Sequence, residues 1–196
     1  MSVDSSAKTG KRPGKAKRRI LTAAARLFRG RGFDRCTVRE LADEVGILSG
    51  SLFHHFRSKD DILFAVMEEV IVDMDATLAA ALDSAPTTHD ELRALIHNQL
   101  EFIHGPQADA TAVLVYEWNA LSPDGQARLL ARRNAYFRRW QEVLTKARSE
   151  GLTNVDPVVS RQLIHGALVW SANWFDTNGA MTVEELEQAV MSMILV

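Results

Sequence analysis

The chain has 196 residues, 46% hydrophobic and 24% charged, with 5 prolines, the make-up of a mostly helical globular protein. No stretch reaches 18 uncharged apolar residues, so no membrane span is expected, and the basic N-terminus lacks the apolar core of a secretory signal. The formal net charge of −2 hides a split: of 23 Lys+Arg and 25 Asp+Glu, 14 and 6 fall in Met1–Asp60, leaving 9 and 19 for the remainder. That pattern points to one end that meets a polyanion and another that does not, although a merely solvated imbalance reads the same in isolation.

Residues 1–15 carry Lys8, Lys11, Arg12 and Lys15 among Gly10, Pro13 and Gly14 and read as a disordered basic arm, either a phosphate-tracking tail or a plain one. Helical periodicity begins with Ile20, Ala24, Leu27 and Phe28, one helix face that ends near Gly30-Arg31-Gly32. Cys36 follows as the only cysteine. It has no partner within the chain, which suits a reducing cytosol and a cytoplasmic protein, and it reads as a plain loop thiol rather than a redox group.

Thr37 and Glu40 form a capping-box pattern at the start of a short helix with Leu41, Ala42 and Val45 inward. Gly46 interrupts it, and a second short helix is expected from about Leu48 to His55. Ser58, with Asp60 and Asp61, caps a long helix carrying Ile62, Leu63, Val66, Val70, Ile71 and Met74 to about Asp83. Further helices are expected over about 90–104, 110–121, 124–150 and 157–175, the last two opened by Ser122-Pro123 and Asp156-Pro157. Thr182 with Glu185 is a second capping box that opens the final helix. The result is an all-α fold of about nine helices: a three-helix N-terminal head with a helix-turn-helix over 16–62, and a helical body over 63–196.

Thr37 to Phe56 carries the functional signal. Two short helices joined by a tight turn need a small residue where they touch (Ala42), a turn residue tolerant of positive φ (Gly46) and apolar anchors (Leu41, Val45, Ile47, Leu52). The outward face is short and polar, so it can approach base edges and phosphates. The candidate DNA contacts are Thr37, Val38, Arg39, Leu48, Ser49, Gly50, Ser51, Phe53, His54, His55 and Lys59, the lysine clamping a phosphate together with a helix N-terminus. A helical hairpin inside a bundle is the structural alternative. His54 and His55 point about 100° apart on a helix and do not make a bidentate metal pair, so no metal is expected. No nucleophile elbow, phosphate-binding glycine loop or Cys–His pair is present, so neither an enzyme nor a cofactor is expected.

The run LFRGRGFDRCTVRELADEVGILSGSLFHHFRSKDDIL, within Ile20–Leu63, resembles the N-terminal domain of the TetR/AcrR family of bacterial repressors. The resemblance implies DNA contacts at Thr37, Ser49, Ser51, Phe53, His54 and Lys59. The family usually has tyrosine where this chain has Phe53, which removes a hydroxyl contact to phosphate. It also implies a body that dimerises through its last two helices and holds a small-molecule pocket. The GILSGSLFHHF wording, with Glu117-Trp118, Leu121-Ser122 and Trp174-Phe175, is similar to a branch that governs fatty-acid or sterol-ring degradation and senses acyl-coenzyme A thioesters.

In the body, Tyr116, Trp118, Asn119, Arg133, His165, Trp170, Asn173 and Trp174 are the candidate ligand contacts, aromatics mixed with hydrogen-bonding groups; core or dimer-interface roles fit them equally. Arg128, Arg132, Arg133, Arg138 and Arg139 read as a solvated face or as ligand-phosphate contacts. Gly166, Ala167, Ser171 and Ala172, with Leu186, Ala189, Val190, Met193 and Ile194, suit a four-helix homodimer interface. The expectation is a repressor released from a palindromic operator by a small-molecule effector. An effector-independent regulator or activator of the same fold, and a helical ligand carrier that does not bind DNA, remain as alternatives.

Overall fold

A computed structural model describes residues 14–196; residues 1–13 of the expected basic arm lie outside them, and Lys15, expected in that arm, instead opens the first helix. Nine α-helices are found among the described residues, and no strands. They are α1 (Lys15–Arg31), α2 (Val38–Val45), α3 (Ser49–Leu52), α4 (Lys59–Ser84), α5 (Thr88–His104), α6 (Ala108–Tyr116), α7 (Pro123–Ser149), α8 (Pro157–Ser171) and α9 (Val183–Ile194). No described helix is long and apolar enough to cross a membrane.

The local signals act where the side chains can reach the backbone. Thr37 accepts from the Glu40 N–H while the Glu40 carboxylate accepts from the Thr37 N–H, and Thr182 and Glu185 do the same for α9. Ser58, Ser122 and Asp156 cap α4, α7 and α8. Gly32 closes α1 at φ +82°, and Gly46 closes α2 in the left-handed region at φ +72°.

Three ends differ from the sequence reading. α3 is helical only over Ser49–Leu52 and continues as tight turns, with His55 N–H donating to Leu52 O at 2.9 Å and Phe56 N–H at 3.0 Å to the same carbonyl. The chain must bury Phe56 and then expose Ser58 as the α4 cap, so the last turn tightens. The helix expected over 110–121 starts at Ala108 and breaks at Glu117 into a 3₁₀ turn, Trp118–Ala120, which delivers Ser122 to its capping position on α7. α8 stops at Ser171, and Asn173 to Phe175 follow in turns bonded back to Trp170 and Ser171.

Two hydrophobic clusters fill the molecule. The first joins Ile20, Leu21, Ala24 and Phe28 of α1 to Leu41 and Ala42 of α2, Leu52, Phe56 and the first half of α4. It runs on without a gap to Val113, Leu121 and Leu129. The second centres on Leu78, Leu95, Leu100, Trp140 and Leu168. α4 therefore serves both clusters along its length, Ile71 in the first and Val70 in the second. At its edge exposed Thr77 donates to Asn98 Oδ1 at 2.7 Å, and inside it the Tyr136 hydroxyl donates to Gln99 Oε1 at 3.0 Å, so the buried Asn98, Gln99 and Tyr136 are paired. Burial pushes the Tyr136 phenol up to about 12. α9 is tied to α5 by Glu187, only 1% exposed, which accepts from Arg93 Nε at 2.5 Å and faces His97 Nδ1 at 2.8 Å.

Head and body are joined by polar clasps as well as by packing. Asp60, in the first turn of α4, accepts from the Ser122 hydroxyl at 3.0 Å and from its N–H at 3.3 Å, on the residue that caps α7. Arg29 at the end of α1 meets Asp109 of α6 at 2.8 Å.

Candidate nucleic-acid interface

α2 is held by Leu41, Ala42 and Val45, which face α1 and α3. The turn at Gly46 then sets α3 on the outside, anchored by Leu52 (1% exposed) and Phe56 (6%). What remains outward is apolar as well as polar: Leu48 is 81% exposed and Phe53 54%, beside exposed Gly50, His54 and His55 and half-buried Ser49 and Ser51. Large side chains left in water on an otherwise well-packed head mark a contact surface rather than a packing failure.

Thr37 and Arg39 are exposed and Val38 half-buried at the start of α2. Thr37 is already committed to its capping box, so its hydroxyl faces Glu40 Oε2 at 2.9 Å. The Thr37 backbone and then its side chain hold the Glu40 carboxyl below the usual range. The lowered value means the box is fully present at neutral pH and is lost only as pH falls through the Glu40 titration.

Two of the three acidic residues of the helix-turn-helix are paired with arginines of α1, while Asp43 is exposed. Arg31 meets Glu40 at 2.7 Å and Arg26 pairs with Glu44. Among the described residues, exposed Arg35, Arg39 and Arg57 make no ion pair. Arg35 and Arg57 were not singled out by sequence reasoning. Their only signal was position beside the helix-turn-helix, and for Arg57 it was masked by Asp60 and Asp61 three and four residues on, which instead accept from the Ser122 hydroxyl and from the Arg57 N–H.

Lys59 is placed differently from the phosphate-clamping expectation. Its ammonium donates to Phe33 O at 2.8 Å and Cys36 O at 2.9 Å, and lies 4.1 Å from the Phe33 ring centroid. It ties α4 to the connection between α1 and α2, leaving one N–H free. Lys59→Ala is therefore expected to lower stability by about 1.5–3 kcal/mol, since it removes charged hydrogen bonds. A denaturant melt checks this, and an unchanged midpoint would return Lys59 to a purely DNA-facing role. Cys36, beside it, is 1% exposed, and burial followed by Glu40 pushes its thiol up, leaving it protonated and inert.

The eight ligand candidates do not share one cavity. Trp118, Arg133 and His165 come together: the Arg133 guanidinium stacks 4.4 Å from the Trp118 ring centroid, and His165 lies near enough to feel both Arg161 and Arg133. Phe137 adds a second aromatic face, 4.8 Å from Arg161 and 4.9 Å from the His165 ring. Burial first, then Arg161 and Arg133, push His165 down to about 4, so it is neutral at pH 7. Arg133 Nε is buried without a hydrogen-bond partner, and among the described residues neither arginine has a carboxylate within 4.0 Å.

The other five candidates lie on the outside. Trp170 is 65% exposed and Trp174 56%, while Tyr116, Asn119 and Asn173 are exposed, with Asn173 Nδ2 3.5 Å from the Tyr116 hydroxyl. For Trp170 the reason is the face of α8: Ser160, Ile164, Leu168 and Ser171 turn inward, so Val159, Leu163, Gly166, Ala167 and Trp170 turn out. Of the arginines on α7, Arg128, Arg132 and Arg139 pair with Asp124, Glu68 and Asp75, and only Arg133 is turned into the interior. Among the described residues no group of three His, Cys, Asp or Glu side chains could hold a metal ion.

Comparison with known proteins matches both halves of the chain. Residues 20–66 match the family described as bacterial regulatory proteins, tetR family, and residues 85–196 match the tetracyclin repressor-like C-terminal domain. The HTH-type transcriptional repressor KstR2 of Rhodococcus jostii (strain RHA1) is 31% identical, covering 98% of this chain and 93% of its own. Among solved structures, superantigen PfiT is 46% identical with a TM-score of 0.80, over 94% of this chain and 98% of that one. The complex of AibR with isovaleryl coenzyme A and operator DNA superposes with a TM-score of 0.84 at 24% identity, over 92% and 98%, a likeness of fold.

Proposed function

This chain belongs to the tetR family of bacterial regulatory proteins, and we propose that it is a cytoplasmic, non-enzymatic homodimeric repressor, released from a palindromic operator by an acyl-coenzyme A-type effector. The observation that carries this is α3, braced through Leu52 and Phe56 and presenting Leu48, Gly50 and Phe53 outward. In this reading residues 16–62 read DNA and 63–196 sense and dimerise. Leu48 and Phe53 meet thymine methyls and sugar edges, Ser49 and Ser51 meet phosphates or base edges, and Arg35, Arg39 and Arg57 bind the backbone. One α3 reads few base pairs, so two copies related by the dimer axis read half-sites about 34–36 Å apart, or a multiple of that.

The outward face of α8 supplies the dimer contact, with Trp170 and Trp174 in it rather than in the effector site. The effector site is the unneutralised arginine pair. Arg133 and Arg161, with His165 between aromatic faces, suit an anionic head such as a coenzyme A phosphate or a carboxylate. The isovaleryl coenzyme A bound by AibR is consistent with that class. Effector and DNA then oppose each other's binding equally, as linkage requires.

Titrating isovaleryl- and decanoyl-coenzyme A into a labelled operator complex tests this. Release is expected, and Arg133→Gln with Arg161→Gln is expected to weaken the effector response at least about tenfold while operator affinity stays unchanged (about 1.4 kcal/mol per tenfold). A complex insensitive to every thioester would indicate an effector-independent regulator. No complex even at low salt would indicate a ligand carrier.

A further inference from the structure

A groove of about 470 Å³ opens at the junction of head and body, between α1, α4, the α5–α6 connection and α7. Its volume lies in the range of small-molecule sites. None of the effector-site residues lines it. The floor is apolar, built from Leu21 and Ala25 of α1, Val66 and Val70 of α4, and Ala110 of α6. The wall above carries Glu69 and Asp73, one turn apart on α4.

Most charges around the groove are matched. Glu68 meets Arg132 at 3.4 Å, Asp109 meets Arg29 at 2.8 Å, and the Lys17 ammonium is turned to the Phe56 ring, 5.3 Å from its centroid. Glu69 and Asp73 are not matched. Among the described residues Asp73 accepts only from the neutral Gln107 amide, at 3.1 Å, and Glu69 faces Arg18 Nε at 3.8 Å, beyond hydrogen-bonding distance. Above the apolar floor, two half-buried carboxylates thus have no cation in hydrogen-bonding contact among the described residues, only Arg18 at 3.8 Å and Lys17 acting on Glu69 from longer range. Burial, followed by Asp73, raises the Glu69 carboxyl above its usual range, and the opposing pull of Arg18 and then Lys17 does not cancel that rise.

We propose that this groove binds an amphipathic organic cation, its ammonium group seated between Glu69 and Asp73 and its aliphatic body along the floor of Leu21, Val66 and Val70. The charge class is opposite to that of the Arg133–Arg161 site, so the two sites take different ligands. Because the groove is walled by α1 as well as by α4 and α6, its occupant touches head and body together.

Calorimetric titration of the purified full-length chain with octylamine, with octanoate and octanol as matched controls, tests the proposal without DNA or acyl thioester. It therefore stands or falls separately from the repressor reading. Saturable binding of octylamine, one per chain, is expected. It should weaken at least tenfold in Glu69→Gln/Asp73→Asn and disappear in Thr22→Trp, which fills the groove from an exposed position, while Arg133→Gln retains it. Should the double variant not fold, Thr22→Trp carries the test. Absence of saturable octylamine binding, equal binding of octanoate, or octylamine binding unchanged in the variants would overturn it.

Discussion

Replacing Gly50 with glutamate is expected to abolish operator binding while the fold and the melting temperature stay as they are. Gly50 is exposed, and a Cβ built on it meets no heavy atom within 4 Å. Its φ is not in the left-handed region, so a side chain there costs the free chain nothing and gains a few tenths of a kcal/mol in helix propensity. Any loss must therefore come from what docks against α3. A glutamate side chain pushed toward phosphates and base edges adds both bulk and like charge. Each faulty groove contact costs about 1–3 kcal/mol, and a dimer presents two, which gives a loss of about 30-fold or more. Fluorescence anisotropy on operator DNA reads the loss and circular dichroism the melt. Unchanged affinity in Gly50→Glu would place the DNA elsewhere.

The second large effect concerns the outward face of α8. Val159, Leu163 and Trp170 are 48%, 64% and 65% exposed in the single chain, along one stripe that also carries Gly166 and Ala167. Burying a large apolar side chain contributes about 1.5–3 kcal/mol, and a two-fold axis counts every residue twice. Leu163→Asp is therefore expected to weaken the dimer at least about 100-fold, to a folded monomer. Light scattering after size exclusion measures the mass. Operator affinity should fall with it, because a single head reads one half-site. A dimer that persists in Leu163→Asp would move the interface off α8.

How much of this was legible in the sequence follows from the range of each interaction. The capping boxes at Thr37–Glu40 and Thr182–Glu185 span three residues, so a local reading finds them. The inward faces of α1 and α2 follow from periodicity, with one exchange: Leu21 and Ala25 are buried while Leu27 is only half-buried. The fate of Lys59 was not legible, because its acceptors Phe33 and Cys36 lie 26 and 23 residues away and become neighbours only when the head folds. The exposure of Trp170 and Trp174 was not legible for the same reason. Trp170 on α8 and Trp174 in the turns after it fitted a pocket, core or interface role alike, and it is Ser160, Ile164, Leu168 and Ser171 that turn toward α5 and α7. The groove beside Glu69 and Asp73 gave no sequence signal, since its walls come from four separate segments.

The central claim is that two outward α3 helices enter successive major grooves of one duplex face. Dimethyl sulfate footprinting on DNA selected by the purified protein from a random pool tests this directly, because it reads guanine N7 in the major groove. The prediction is a two-fold symmetric pattern of protected guanines whose two centres lie a whole number of helical turns apart. Selection of no common sequence, or a single unsymmetric patch protected only along the minor groove, would contradict it.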